Sequence, residues 1–233
     1  MKTLGLVGGT SWHSTIEYYR YINLHVNRHF GDNTNPPLLV YTLNQSQIHQ
    51  YQIASNWDAI AEMLIKASKS LIAAGAETVL FCANTPHKVY ATVKKHIEVP
   101  ILHIADATSK AILAKGLSKV CFLGTKYTMT EAFILDRFSN HGIEVLTPKD
   151  TPVIDELHRM IQKELTYGKI VDSSKTYVLH VINTFLDQGA QGVVLGCTEF
   201  PLMINNKDLH VPVFNTTQIH AQAAVNYILQ DHL

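Results

Sequence analysis

The chain is poor in charge, in cysteine and in long apolar runs, and each shortage excludes something. Only 16% of its 233 residues are charged, and 19 Lys and Arg balance 19 Asp and Glu, so no net field attracts nucleic acid or an anionic membrane surface. Three cysteines, Cys82, Cys121 and Cys197, are odd in number and widely spaced, which argues against a disulfide framework and against a zinc site. No stretch approaches the ~18 apolar residues of a membrane span. The opening MKTLGLVGG has an apolar run too short for a signal-peptide core. A reducing cytoplasm and small-molecule partners follow as expectations. Among thirteen histidines, only His25 and His29 have a helical pair spacing, without an acidic companion, so no metal is expected. GLVGGTS lacks the GxGxxG spacing of a nucleotide loop.

What is present is alternation. Apolar runs at Leu4–Val7, Leu38–Leu43, Val79–Phe81, Ile101–Leu102, Val120–Leu123, Glu144–Leu146 and Val193–Leu195 read as strands. Between them, Ser14–Arg28, Trp57–Ala74, Pro86–His96, Thr108–Lys115, Thr130–Asn140, Val153–Thr166, Ser174–Gln188 and Thr217–Leu229 read as helices. The pattern predicts an α/β fold with parallel sheets and right-handed crossovers.

Two segments look like copies of one element: GAETVLFCANTPH from Gly75 and GAQGVVLGCTEFP from Gly189. Each is a buried strand delivering a small polar loop at its carboxyl end, where open α/β sheets bind ligands. LGLVGGTS at Leu4 and VCFLGTKY at Val120 form a second pair. The duplication predicts two pseudo-symmetric domains, 1–105 plus 215–233 and 106–214, with one active site in the cleft between them. Aligned on Gly-Ala, Cys197 falls opposite Ala83; aligned on the more distant Gly-Thr pairs, it falls opposite Cys82. The nearer anchor is the safer one, and the one-residue difference matters because successive strand residues face opposite sides.

The elements GLVGGTSWHSTIEYY, FCANTPHK, HIADAT, LGTKYTM and LGCTEFP, in order over nearly the whole chain, resemble the aspartate/glutamate racemase family, especially its GGxSWxST branch. The resemblance implies a cofactor-independent amino-acid racemase, frequently a homodimer, that moves the α-proton of a small amino-acid substrate between two cysteines. Thiols suit that chemistry because modest perturbation lets thiol and thiolate coexist near neutral pH. The second cysteine of the family pattern is intact as Cys197, before Thr198. The first position, before Asn84-Thr85, holds Ala83, which cannot transfer a proton.

The resemblance therefore implies slow or one-sided racemisation, with Cys82, turned inward by a bulge, or Thr85 as the candidate second acid/base. Without a bulge, Cys82 is a packed strand residue, and Cys121 is core. The family assigns Asn84, Thr85 and Thr198 to the substrate carboxylate, and Thr10 and Gln52 to its side-chain pocket; Ala83, at the first cysteine position, is expected to line the substrate site. His87 and Glu199 could orient a thiol or simply bond locally. The arginine that aspartate-specific members carry after the second strand is missing from Ser46–Gln52, leaving Lys163 and Lys169 as weaker candidates for a distal carboxylate. Hydantoin racemases, maleate isomerases and arylmalonate decarboxylases share the expected architecture, and a module that binds without catalysis is a reading of a different class.

Overall fold

The computed structural model describes residues 1–230. The chain forms two compact units, Met1–Ile104 together with residues from Thr217 onward, and Ala105–Thr216, so it passes between units twice. In chain order the elements are β1 (Leu4–Gly8), α1 (Trp12–Phe30), β2 (Leu38–Thr42), α2 (Gln45–Ile53), α3 (Trp57–Ala73), β3 (Thr78–Phe81), α4 (Tyr90–Lys94) and α5 (Ile104–Leu113). There follow β4 (Lys119–Gly124), α6 (Lys126–Thr130), α7 (Ala132–Asn140), β5 (Glu144–Leu146), α8 (Thr151–Lys163), α9 (Asp172–Leu186), β6 (Val193–Gly196), β7 (Val213–Asn215) and α10 (Thr216–Ile228). Single 3-10 turns at Thr85–Val89, Leu165–Tyr167 and Phe200–Leu202 complete them.

In the first unit the strand order is β2-β1-β3, all parallel, with Leu6 opposite both Val40 and Leu80. Ile101 adds one parallel bridge to Val79. β1 is buried along its whole length, as a strand covered on both faces must be, and this is why it reads as a continuous apolar run. Alternation sorts its neighbours. Val7, Val79 and Phe81 pack with Ile60, Leu64 and Leu71 of α3. Leu4, Leu6, Leu80 and Cys82 pack with Tyr18, Ile22 and Val26 of α1 and Ala221, Ala224 and Val225 of α10. On α1 the buried residues Ser14, Tyr18, Ile22 and Val26 recur every fourth position. The helix starts at Ser11, whose side chain accepts the Ser14 N–H, and stops at the left-handed Gly31.

The second unit has strand order β5-β4-β6-β7, again parallel, with Phe122 opposite Val194 and Gly124 opposite Gly196. Its central strand β4 is followed by a helix capped by a hydroxyl, Thr125, which accepts the Thr128 N–H. Ser11 does the same after β1.

Several expected elements differ. Residues 45–53, to which the sequence assigned no element, form α2; Asn44 caps it by accepting the Gln47 N–H, and it buries only Ile48 and Gln52. The stretch 86–96 begins as a tight 3-10 turn and becomes α-helical only at Tyr90. The expected helix at 130–140 is α7, and a short helix that was not expected, α6, precedes it, separated from it by the extended backbone of Glu131. Strand β7, behind Pro212, joins the edge of the second sheet through Val193 opposite Val213.

Candidate functional site

The loop after β6 begins with a close approach of two strands. A Cβ on Gly196 would run into the Phe122 ring, so only glycine lets β6 lie beside β4 here. Cys197 follows, 4% exposed, and its Sγ donates to Glu199 Oε2 at 2.8 Å. The Thr198 hydroxyl donates to the same oxygen at 2.9 Å. Glu199 is itself 5% exposed and leads into the 3-10 turn at Phe200–Leu202, where Pro201 fits the first turn. Burial pushes the Cys197 thiol well above its ordinary pKa, and the charge of the Glu199 carboxylate and the bond to it push further in the same direction. The backbone N–H groups of Glu199 and Phe200 pull the other way, because they stabilise negative charge on sulfur. At rest the group is a thiol held against a carboxylate. That pair can pass one proton from sulfur to oxygen and back.

The loop after β3 carries Ala83, Asn84 and Thr85, all buried. Thr85 opens the 3-10 turn that continues to Val89. Behind the loop, the Ser14 hydroxyl donates to the Cys82 carbonyl at 2.5 Å, and the His87 ring lies against the carbonyls of Ala83 and Asn84. Cys82 lies in the apolar cluster with Leu4, Leu6, Leu80 and Tyr18, 2% exposed. Burial drives its thiol far above the usual range. Cys121, in β4, is also fully buried and shifted the same way.

Register speaks to the one-residue ambiguity. Both central strands end on glycine. In the second unit Gly124 stands opposite Gly196, and Cys197 comes one residue later. In the first, Val7 stands opposite Phe81 and the Cys82 N–H bonds to the Val7 carbonyl, so Gly8 continues opposite Cys82 and the residue one later is Ala83.

Thr10 is half-buried in the turn between β1 and α1. Gly9 there has a positive φ of 85°, and a Cβ would strike the Leu43 backbone, which fixes the turn against the end of β2. Gln52 lies on the buried side of α2, one turn from Ile48. Thus Thr10, Gln52, Cys82, Ala83, Asn84 and Thr85 belong to the first unit, and Cys197 and Thr198 to the second. Lys163 and Lys169 are both exposed, the latter 6.0 Å from the Tyr167 ring centroid. Among the described residues no group of three or more His, Cys, Asp or Glu is placed to hold a metal ion, and no helix is long and apolar enough to cross a membrane. The sequence reading missed Ser11 and Ser14. Their hydroxyls at three-residue spacing, immediately before a helical apolar stripe, were the available signal.

The profile of the Asp/Glu/Hydantoin racemase family matches residues 7–224. The fold resembles the crystal structure of a putative Asp/Glu racemase from Yersinia pestis, with 44% identity, a TM-score of 0.91, and coverage of 99% of this chain and 100% of that one. It also resembles an aspartate racemase homologue from Pyrococcus horikoshii OT3, with 36% identity, a TM-score of 0.83, and coverage of 99% and 100%. A glutamate racemase of Clostridium perfringens (strain SM101 / Type A) is 28% identical over 149 residues, 62% of this chain and 54% of its own, so the match spans about half of that relative's length.

Proposed function

The chain belongs to the Asp/Glu/hydantoin racemase family, and from that premise we propose that it is an amino-acid racemase in which Cys197 is the acid/base thiol and Glu199 its proton partner. The observation that carries the reading is the 2.8 Å contact between Cys197 Sγ and Glu199 Oε2. Proton transfer to Glu199 leaves a thiolate facing the N–H groups of Glu199 and Phe200. The thiolate takes the α-proton, and the electron pair stays on the α-carbon and is delocalised into the substrate carboxylate. Thr198, Asn84 and Thr85 are assigned to that carboxylate and stabilise the charge that develops on it; Thr10 and Gln52 are assigned to the substrate side chain.

Return of the proton from Cys197 restores the starting enantiomer. Inversion needs a donor on the opposite face, where the family pattern puts the residue at Ala83. Its methyl group cannot donate, and Cys82 is packed among Leu4, Leu6 and Leu80. The reading therefore gives Cys82 no part and leaves inversion to a water or the Thr85 hydroxyl, so that α-proton exchange outruns racemisation. Aspartate and glutamate are the first substrates to test, although α2 supplies no arginine for a distal carboxylate.

The test is proton NMR in deuterated water of L- and D-aspartate and L- and D-glutamate, each incubated separately, with chiral analysis of the product. Exchange of one enantiomer with little inversion, abolished in C197A, is the expected result. Rapid inversion of both enantiomers would overturn the one-thiol mechanism, and absence of exchange from all four would overturn the racemase reading for acidic substrates and favour a module that only binds.

A further inference from the structure

Three histidines buried in the first unit have no part in the acid/base chemistry above: His87, 2% exposed, His103, 5%, and His220, 0%. The ring centroid of His87 lies 4.5 Å from that of His103 and 5.8 Å from that of His220. For His87 and His220 the partners fix which nitrogen carries hydrogen. His87 Nδ1 lies 3.0 Å from the Ala83 carbonyl oxygen and 3.2 Å from that of Asn84, and both are acceptors only, so Nδ1 is the N–H. Nε2 is then a bare lone pair, and it accepts the Ile104 N–H at 3.3 Å. His220 has the opposite tautomer. Its Nε2–H donates to the Leu102 carbonyl at 3.0 Å, and its Nδ1 accepts from the Tyr18 hydroxyl at 2.8 Å.

The positions of these partners along the chain give the bonds a common meaning. Ile104 is the last residue of the first unit before the chain leaves it, and His220 stands in the first turn after the chain returns at Thr217. The departing segment 102–104 is thus held from two sides, at Leu102 by the returning helix and at Ile104 by His87. The second bond has a further consequence, because the same imidazole holds the carbonyls of Ala83 and Asn84. A five-membered ring with two fixed nitrogens is a rigid spacer, and Ile104 cannot shift without tilting the group that shapes the loop after β3.

We propose that His87 is a positioning residue that locks the Ala83–Thr85 loop to the point where the chain leaves the first unit, so that loop geometry and chain exit are set by one imidazole. Where it concerns substrate, this rests on the reading that Asn84 and Thr85 hold the substrate carboxylate. Where it concerns the loop and Ile104, it does not.

Two variants separate the two faces of the ring. In H87N the amide nitrogen lies near the place of Nδ1 and keeps a donor for the loop, but the shorter side chain cannot supply the acceptor that His87 Nε2 gives the Ile104 N–H. In H87Q the amide oxygen lies near the place of Nε2 and keeps an acceptor for Ile104, but the loop carbonyls lose their donor. Amide hydrogen exchange on the full chain is expected to show Ile104 exchanging about tenfold faster in H87N, the loss of one buried hydrogen bond, and within about threefold of wild type in H87Q. The 3-10 turn at Thr85–Val89 is expected to lose protection in H87Q. In the α-proton exchange assay, H87Q is expected to raise KM about tenfold with kcat changed less than about threefold, the pattern of a lost binding geometry rather than a lost proton carrier. Unchanged Ile104 exchange in H87N would overturn the proposal, and so would an unchanged KM in H87Q once the turn has lost protection. If the wild-type protein exchanges no α-proton, the racemase reading fails by itself and the amide measurements still decide whether His87 locks loop to exit.

Discussion

Gly196→Ala is expected to damage the second unit and the thiol beside it, and the size of the effect follows from one contact. A Cβ at this position overlaps Phe122 Cζ and stands 2.5 Å from Cε2 and 2.7 Å from Cε1, where ordinary carbon contacts lie at about 3.5–4.0 Å. The ring would have to retreat by roughly 1 Å or more. It has little room to do so, since Phe122 is 1% exposed and packs edge-to-face against Phe138 at 5.8 Å between centroids. Overpacking of this kind costs about 1–3 kcal/mol, and the reduced entropy of the unfolded alanine chain returns about 0.4–1 kcal/mol, which leaves a net loss of roughly 1 kcal/mol. Phe122→Leu deletes the three offending ring atoms. The double variant G196A/F122L should therefore be more stable than the two single losses predict, with a coupling of at least about 1 kcal/mol. Urea denaturation of wild type, both single variants and the double variant, followed by a probe specific to the second unit, measures the cycle. Wild-type stability in G196A, or strict additivity in the double variant, would refute the argument that this glycine exists to admit the ring.

Replacing Glu199 by Gln removes the charge that, after burial, does most to hold the Cys197 thiol protonated, so the thiol pKa should fall; the pH dependence of thiolate absorbance, with C197A as blank, reads the shift, and a rise would contradict the assignment. Cys82→Ala should leave α-proton exchange within about twofold while lowering stability by roughly 1 kcal/mol through the lost packing, and loss of exchange in a folded C82A protein would restore Cys82 to the mechanism. Acid should weaken the first unit. His87 and His220 are held neutral mainly by burial, with pKa values lowered to about 3 and about 4, among His103, Tyr18 and Tyr90. The unfolded chain binds protons at these positions below about pH 6.5 while the fold does not, so stability falls as pH drops from there through the folded values, by up to about 1.4 kcal/mol per pH unit for each histidine. A urea midpoint for the first unit that stays flat between pH 7 and 4.5 would show that the rings are not held neutral.

What could be read from the sequence divides along physical lines. Strands β1, β3, β4 and β6 were visible because each is buried on both faces and its apolar run leaves no other interpretation. Helices α1 and α3 were visible from stripes at helical spacing. Helix α2 was not, because a helix that buries only Ile48 and Gln52 has no stripe, and its evidence is a single capping bond from Asn44. The break at Glu131 was also hidden, since α6 ends there on a backbone bond from the Glu131 N–H to the Tyr127 carbonyl, with no proline or glycine to mark it. At the candidate site, the residue types around Cys197 were legible in LGCTEFP, but the bond from its thiol to Glu199 is a matter of rotamers. His87 drew notice as a polar residue beside a signature. Its service to Ile104, seventeen residues onward, has no sequence pattern to betray it.

The discontinuity of the first unit has a consequence for how the protein is made. Ala105–Thr216 is one unbroken stretch and holds within itself every strand of its sheet, so it can close as soon as it has left the ribosome. The first unit, begun earlier, finishes later. The faces of Leu4, Leu6 and Tyr18 wait for Ala221, Ala224, Val225 and Ile228 of α10, and until those residues are translated the earlier-made β1 and α1 present uncovered apolar surface. Synthesis order therefore runs against folding order in this chain, and the amino-terminal sheet is the part that chaperones would meet first and release last.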